Sequence, residues 1–144
     1  MNLTFAFAVN TENLFERRHF GDADKYLFYE QKDGELAFLS ETPNRFRDLD
    51  EEVGHGSKRK GKAIIEFLKE KGVHVLVSKQ FGKNLKLVNE HFIPVIIDRE
   101  IEDVNEVLKI LYKHVHWFED EWINEKHGYK LFIIKAGVLK SAIE

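Results

Sequence analysis

The sequence predicts one mixed α/β sandwich, and three observations carry that reading. Residues 3–9 (LTFAFAV) form an apolar run without polar alternation, as in a central strand covered on both faces. Asp33-Gly34 sits between two aromatic-aliphatic runs, a strong hairpin signal. The second half then alternates strand, helix, strand, helix, which implies parallel pairing with right-handed crossovers. At 144 residues, 43% hydrophobic and 33% charged, the chain is long enough for one domain with a sizeable core.

Taken in order, the first strand ends at the polar stretch Asn10, Thr11, Glu12, Asn13. Residues 25–30 and 35–39 make the antiparallel hairpin, since both positions of an Asp-Gly turn favour positive φ. Residues 40–56 are polar, with Pro43-Asn44 and two glycines. They are expected as a long loop, of a length that usually carries function. Residues 58–71 place Ile64, Ile65, Phe67 and Leu68 on one helical stripe, and Gly72 stops it. Residues 73–77 are a buried strand, 83–92 a second helix through Leu85, Val88 and Phe92, and 93–97 another strand. A third helix is expected from Glu100, because Val104, Leu108, Leu111, Val115, Phe118 and Trp122 recur at spacings of four and three. Gly128 separates it from a sixth strand at residues 129–134. Strands one, four and five are parallel.

The composition excludes several functions. With 22 Lys+Arg against 25 Asp+Glu, the net charge of −3 argues against a general nucleic-acid binder. There is no cysteine, hence no disulfide, no thiolate-held cluster and no cysteine nucleophile. Metal chemistry therefore falls to His, Asp or Glu. No apolar run approaches the roughly 20 residues of a bilayer span, and the start lacks a basic n-region and a cleavage pattern. A cytoplasmic protein is expected.

Charge is unevenly placed. Residues 57–90 hold nine Lys/Arg and three Asp/Glu, whereas residues 100–127 hold three and eight. Two readings stay open: two solvated helix faces, or an anion site near residues 55–62. Gly56-Ser-Lys-Arg-Lys-Gly61-Lys62-Ala63 imitates a phosphate loop, but Ala63 stands where a Ser/Thr would hold Mg²⁺. The preceding NRFRDLDEEV is also too charged for the buried strand such a loop must leave. A weaker claim survives. Gly54, Gly56 and Ser57 lead into a helix whose first turns carry Lys58, Arg59, Lys60 and Lys62, cations that oppose the helix dipole. A helix N-terminus suits an anion, and solvated side chains are the plain alternative.

Of the seven histidines, His74 lies in an apolar strand and is expected as a hydrogen-bonded core residue. His114 and His116 diverge by about 200° on a helix and cannot chelate together. His91 and His127 sit at helix ends. His19 and His55 differ, because each lies in a glycine-containing loop, His19-Phe20-Gly21 and Gly54-His55-Gly56, beside the expected sheet. Glycine lets backbone approach a ligand closely, so these two are the candidate metal ligands, against the alternative of polar surface. No G-x-S-x-G elbow, H-E-x-x-H helix or deaminase signature occurs, and the first strand carries no acidic residue. A non-enzyme is expected.

The ordered set of these features resembles the dinitrogenase iron–molybdenum cofactor biosynthesis family (NifX- and NafY-like proteins and the C-terminal part of NifB). The resemblance runs through the apolar first strand, His19-Phe20-Gly21 with Ala23, Tyr26-Leu-Phe-Tyr-Glu30 and Asp33-Gly34. It continues through Gly54-His55-Gly56, Gly61-Lys62-Ala63, Gly72-Val73-His74-Val75-Leu76-Val77, Phe81-Gly82 and Ile93-Pro94-Val95. It covers residues 1–112 and implies a ribonuclease-H-like domain with a five-stranded mixed sheet in order 3-2-1-4-5. It also implies non-catalytic binding or carriage of an iron–sulfur or iron–molybdenum cluster or its precursor. By position, His19 and Gly21, the segment Gly54-His55-Gly56, and Phe81-Gly82 would line the site, with Lys58, Arg59 and Lys62 suited to a polyanionic cluster. Residues 113–144 are expected as an extension packed on the same domain, adding a strand or mediating self-association. The rival readings are a metal-free scaffold acting through a protein partner, and an anion- or nucleotide-binding enzyme. Neither nucleic acid nor membrane is expected as a partner.

Overall fold

The computed structural model describes residues 1–49, 59–124 and 127–141. Its central strand is β1 (Thr4–Val9), all six residues of which are buried. β1 pairs antiparallel with β2 (Lys25–Lys32) and parallel with β4 (Val75–Ser78). β3 (Glu35–Pro43) lies antiparallel outside β2, while β5 (Ile93–Ile97) continues parallel beyond β4. The sheet is completed by β6 (Phe132–Lys135), parallel to β5, and β7 (Val138–Ser141), antiparallel to β6. Strand order is β3-β2-β1-β4-β5-β6-β7, so the expected 3-2-1-4-5 arrangement holds within a larger, seven-stranded sheet.

Side chains of β1 alternate between two cores. Phe5, Phe7 and Val9 join Val75, Val77, Ile93, Val95 and Ile97 on one face. That face is covered by α3 (Val104–Lys113) and α4 (Val115–Asn124). Ala6 and Ala8 point to the other face, where α1 (Arg59–Glu70) and the short α2 (Leu85–Asn89) bring Ile64, Ile65, Phe67, Leu68 and Val88.

Four local expectations are corrected. Residues 40–43 are not loop: they pair with the first half of β2, which gives their backbone groups partners, and Pro43 is accommodated at the end of an edge strand. The rest of the expected loop includes Gly54, His55 and Gly56, which with Lys58 lie outside the described residues. At the hairpin only Gly34 has positive φ (88°), and Asp33 does not. The second helix is short: a 3-10 turn (Gly82–Asn84) leads into α2, after which the His91 and Phe92 amides both bond Val88 O and turn the chain into β5. The expected third helix is two helices. His114 leaves helical geometry (φ −115°, ψ 23°), which redirects α4 across the sheet. There Phe118 meets Phe5 edge-on at 5.9 Å and Phe132 at 4.9 Å. Trp122 stacks on Tyr129 at 5.0 Å and meets the half-buried His74 at 4.6 Å.

The expected core role of His74 is visible in its bonds. Its Nδ1 accepts the Thr4 amide at 2.9 Å, its own amide donates to Thr4 O, and its carbonyl accepts from Ile93. It therefore ties together β1, β4 and β5.

Phe118 is fully buried, so Phe118→Ala is expected to cost about 3–5 kcal/mol in chemical denaturation, as for other large aromatic truncations. Burial holds His74 below its ordinary pKa, and His91 and His114 shift the same way. The unfolded chain thus takes up protons more readily than the folded one, and stability present above about pH 6.5 is lost as pH falls below it. His74→Gln should flatten part of that loss in melting curves recorded from pH 7.5 to 5.5.

Candidate functional site

Ligands of open α/β sheets gather outside the carboxyl ends of strands that part in opposite directions. Here β1 leads to β2 on one side and β4 leads to β5 on the other. Three segments therefore meet at that edge: residues 10–24 after β1, residues 79–82 after β4, and residues 98–99 after β5.

The segment after β1 is built by local bonds. Asn10 Oδ1 accepts the amides of Glu12 and Leu14, and Asn13 takes a left-handed conformation (φ 66°) to close the turn. Phe15 stacks on Phe7 at 5.7 Å. The buried Glu16 carboxylate accepts Arg18 Nε at 2.8 Å, Arg18 Nη2 at 2.9 Å and the Arg18 amide at 3.0 Å. The guanidinium of Arg18 holds Glu16 below the usual carboxylate range. Asp24 is taken by Arg47 Nη1 at 2.6 Å.

Residues 17–22 then cross to the end of β4. The Phe20 amide donates to Gln80 O at 2.9 Å, and Gln80 Nε2 donates to Arg17 O at 2.7 Å. Phe20 stacks between Tyr26 (4.8 Å) and Phe81 (5.5 Å), and the Tyr26 hydroxyl donates to Phe20 O. Burial pushes that hydroxyl far above its ordinary pKa. Lys60 in the first turn of α1 reaches Asp22, clamping the helix to the loop.

His19 is exposed and lies against Gly82, whose φ is +72°. A methyl group built on Gly82 would come within 2.5 Å of His19 Nδ1. The imidazole and the glycine are thus packed at a separation that admits no side chain. Gly21 lies beside Ile64 and Lys60, and its carbonyl accepts Asn44 Nδ2 at 2.9 Å. Between this loop and α1–α2 lies an apolar cavity of about 40 Å³, bordered by Phe20, Gly21, Gly61 and Phe81.

A family model described as dinitrogenase iron-molybdenum cofactor matches residues 1–114. The chain belongs to that family. The match takes in β1–β5 and α1–α3, hence every residue of the edge just described, while α4, β6 and β7 lie beyond it. No curated protein matches the chain.

Of the residues expected to line a site in this family member, the structure brings His19, Gly21, Phe81 and Gly82 together. Arg59 and Lys62 are exposed on α1, and Lys62 sits about 200° around the helix from the Lys60 that reaches the loop. Gly54, His55, Gly56 and Lys58 fall outside the described residues. Among the described residues no group of three or more His, Asp or Glu is arranged to hold a metal ion. The sequence reading missed a cleft of about 450 Å³ lined by Arg17, Lys79, Gln80 and Arg99. Its signal was an ionisable residue, Lys79, placed directly after the fully buried strand β4, where a ligand-facing edge begins.

Gly82→Ala should cost about 1–2 kcal/mol for the left-handed backbone and displace the His19 ring. Denaturation curves measure the first effect, and the His19 imidazole resonances by NMR the second. An unchanged His19 signal would contradict the packing described.

Proposed function

We propose that this family member binds or carries an iron–molybdenum or iron–sulfur cluster, or its precursor, as cargo and without catalysing a reaction. The observation that carries the reading is the exposed His19 imidazole packed on Gly82 at the carboxyl edge between β1 and β4, in a chain that matches the family model. In a chain without cysteine, imidazole is the softest strong donor left for such a metal. His55 is proposed as the second ligand. Gly21 and Gly82 allow close approach and Phe81 walls the site. Gly54, Gly56 and Lys58 are proposed to join them from the segment before α1, with Arg59 balancing the negative charge of the cargo, whereas the position of Lys62 on α1 favours a solvated role. The strand order 3-2-1-4-5 and the mixed pairing support a ribonuclease-H-like reading of the sheet, and the cytoplasm is the proposed compartment.

A second reading has its own observation. Trp117, Ile123 and Val138 are exposed on elements beyond the family match, so residues 113–144 offer a surface for a protein partner in a metal-free scaffold.

Anaerobic titration with a cluster donor, followed by visible absorption and bound iron, separates the two. The carrier reading expects stoichiometric uptake by the wild type, lost in the double variant His19→Ala, His55→Ala with its association state intact. A folded wild type that takes up no cluster would sink that reading and favour the scaffold.

A further inference from the structure

We propose that the cleft between Arg17, Lys79, Gln80 and Arg99 is a second site, which binds a small multivalent oxyanion carrying carboxylate or phosphate groups. Lys79 anchors the argument. It is only 7% exposed, and among the described residues its ammonium donates one hydrogen bond, to Arg99 O at 2.7 Å. Among the described residues no carboxylate pairs with it. An ammonium has three protons to donate, and burying a cation is unfavourable unless opposite charge is held in contact with it. Glu102 and Glu16 act on Lys79 only from beyond ion-pair distance, and each is paired with an arginine. Desolvation correspondingly holds Lys79 below its ordinary pKa.

The cleft that Lys79 adjoins has the size of a small-ligand site, about 450 Å³. Arg17 and Arg99 also line it, and a guanidinium's planar fork matches carboxylate and phosphate oxygens two at a time. The acids nearby do not satisfy this charge. Glu16 is committed to Arg18. Glu102 pairs with Arg17 at 3.1 Å, but both side chains are exposed (46% and 80%), and such pairs contribute little and exchange readily. Gln80 fixes the geometry, since its side chain holds Arg17 O while its backbone holds Phe20. The cleft also lies at the carboxyl ends of β4 and β5, where this sheet type receives ligands. It shares no residue with the proposed cluster site.

The test is calorimetric titration of the full chain with inorganic phosphate and, separately, with citrate at fixed ionic strength. Saturable binding of one or both is expected, and which of them binds identifies the source of the oxygens. Lys79→Met and Arg99→Gln should each weaken binding by at least about tenfold, the loss expected when one charge-assisted hydrogen bond is removed. His19→Ala should leave it unchanged. Lys79→Met replaces a buried charge by an apolar chain of similar length, a change that folds commonly tolerate, and Arg99→Gln at an exposed position decides the matter if that variant does not fold. Absence of saturable binding by the wild type, or undiminished binding by the folded variants, would overturn the proposal. Loss in His19→Ala would overturn it too, by moving the anion to the histidine.

Discussion

Everything in this molecule depends on β1 being sealed on both faces and paired on both edges. A six-residue strand that is wholly buried has to satisfy each backbone group through its neighbours. It does so with β2 on one side and β4 on the other. The alternation of Phe5, Phe7 and Val9 with Ala6 and Ala8 then sets how closely each helical layer approaches. Large rings hold α3 and α4 off on one face, and alanines leave room for α1 on the other. Because β2 and β4 depart from β1 in opposite directions, their connections separate at one end, and that separation creates the edge on which His19 and Lys79 stand.

How much of this was legible follows from which forces act locally. β1, the β2–β3 pair, α1, β4 and β5 were readable because each is written in hydrophobic spacing over a short window. The break at His114 was not, because the apolar spacing runs straight through it and the bend comes from Phe118 packing onto Phe5 and Phe132, residues far apart in sequence. β7 was missed for a different reason. Its turn, Ala136-Gly137, has positive φ at both positions (52° and 76°), but alanine is a poor signal for that geometry. The turn is supported from outside, by the Asp98 carboxylate accepting the Ala136 amide at 2.9 Å.

The site shows the same division. His19 and Gly21 were found because a histidine among glycines in a loop stands out in one dimension. The contact of His19 with Gly82, 63 residues away in sequence, could only come from the family resemblance or from three-dimensional placement. The Arg17–Lys79–Arg99 cleft has no sequence pattern, since its three cations come from three connections that converge only after the sheet has formed. Of the neighbouring acids, Glu16 is held by Arg18, Asp22 by Lys60 and Asp24 by Arg47, while Glu102 makes an exposed pair with Arg17.

The parallel pairing of Phe5 with Val75 has a consequence for the order of assembly during synthesis. The strands on one side of β1 leave the ribosome early and can zip into a hairpin sheet at once. The other edge of β1 must wait for a partner 70 residues downstream, roughly 4–14 s at ordinary translation rates. For that interval an apolar strand has one row of amides and carbonyls open, the geometry most prone to pairing with a foreign strand. The last residues to arrive then extend a sheet whose vulnerable centre has already closed.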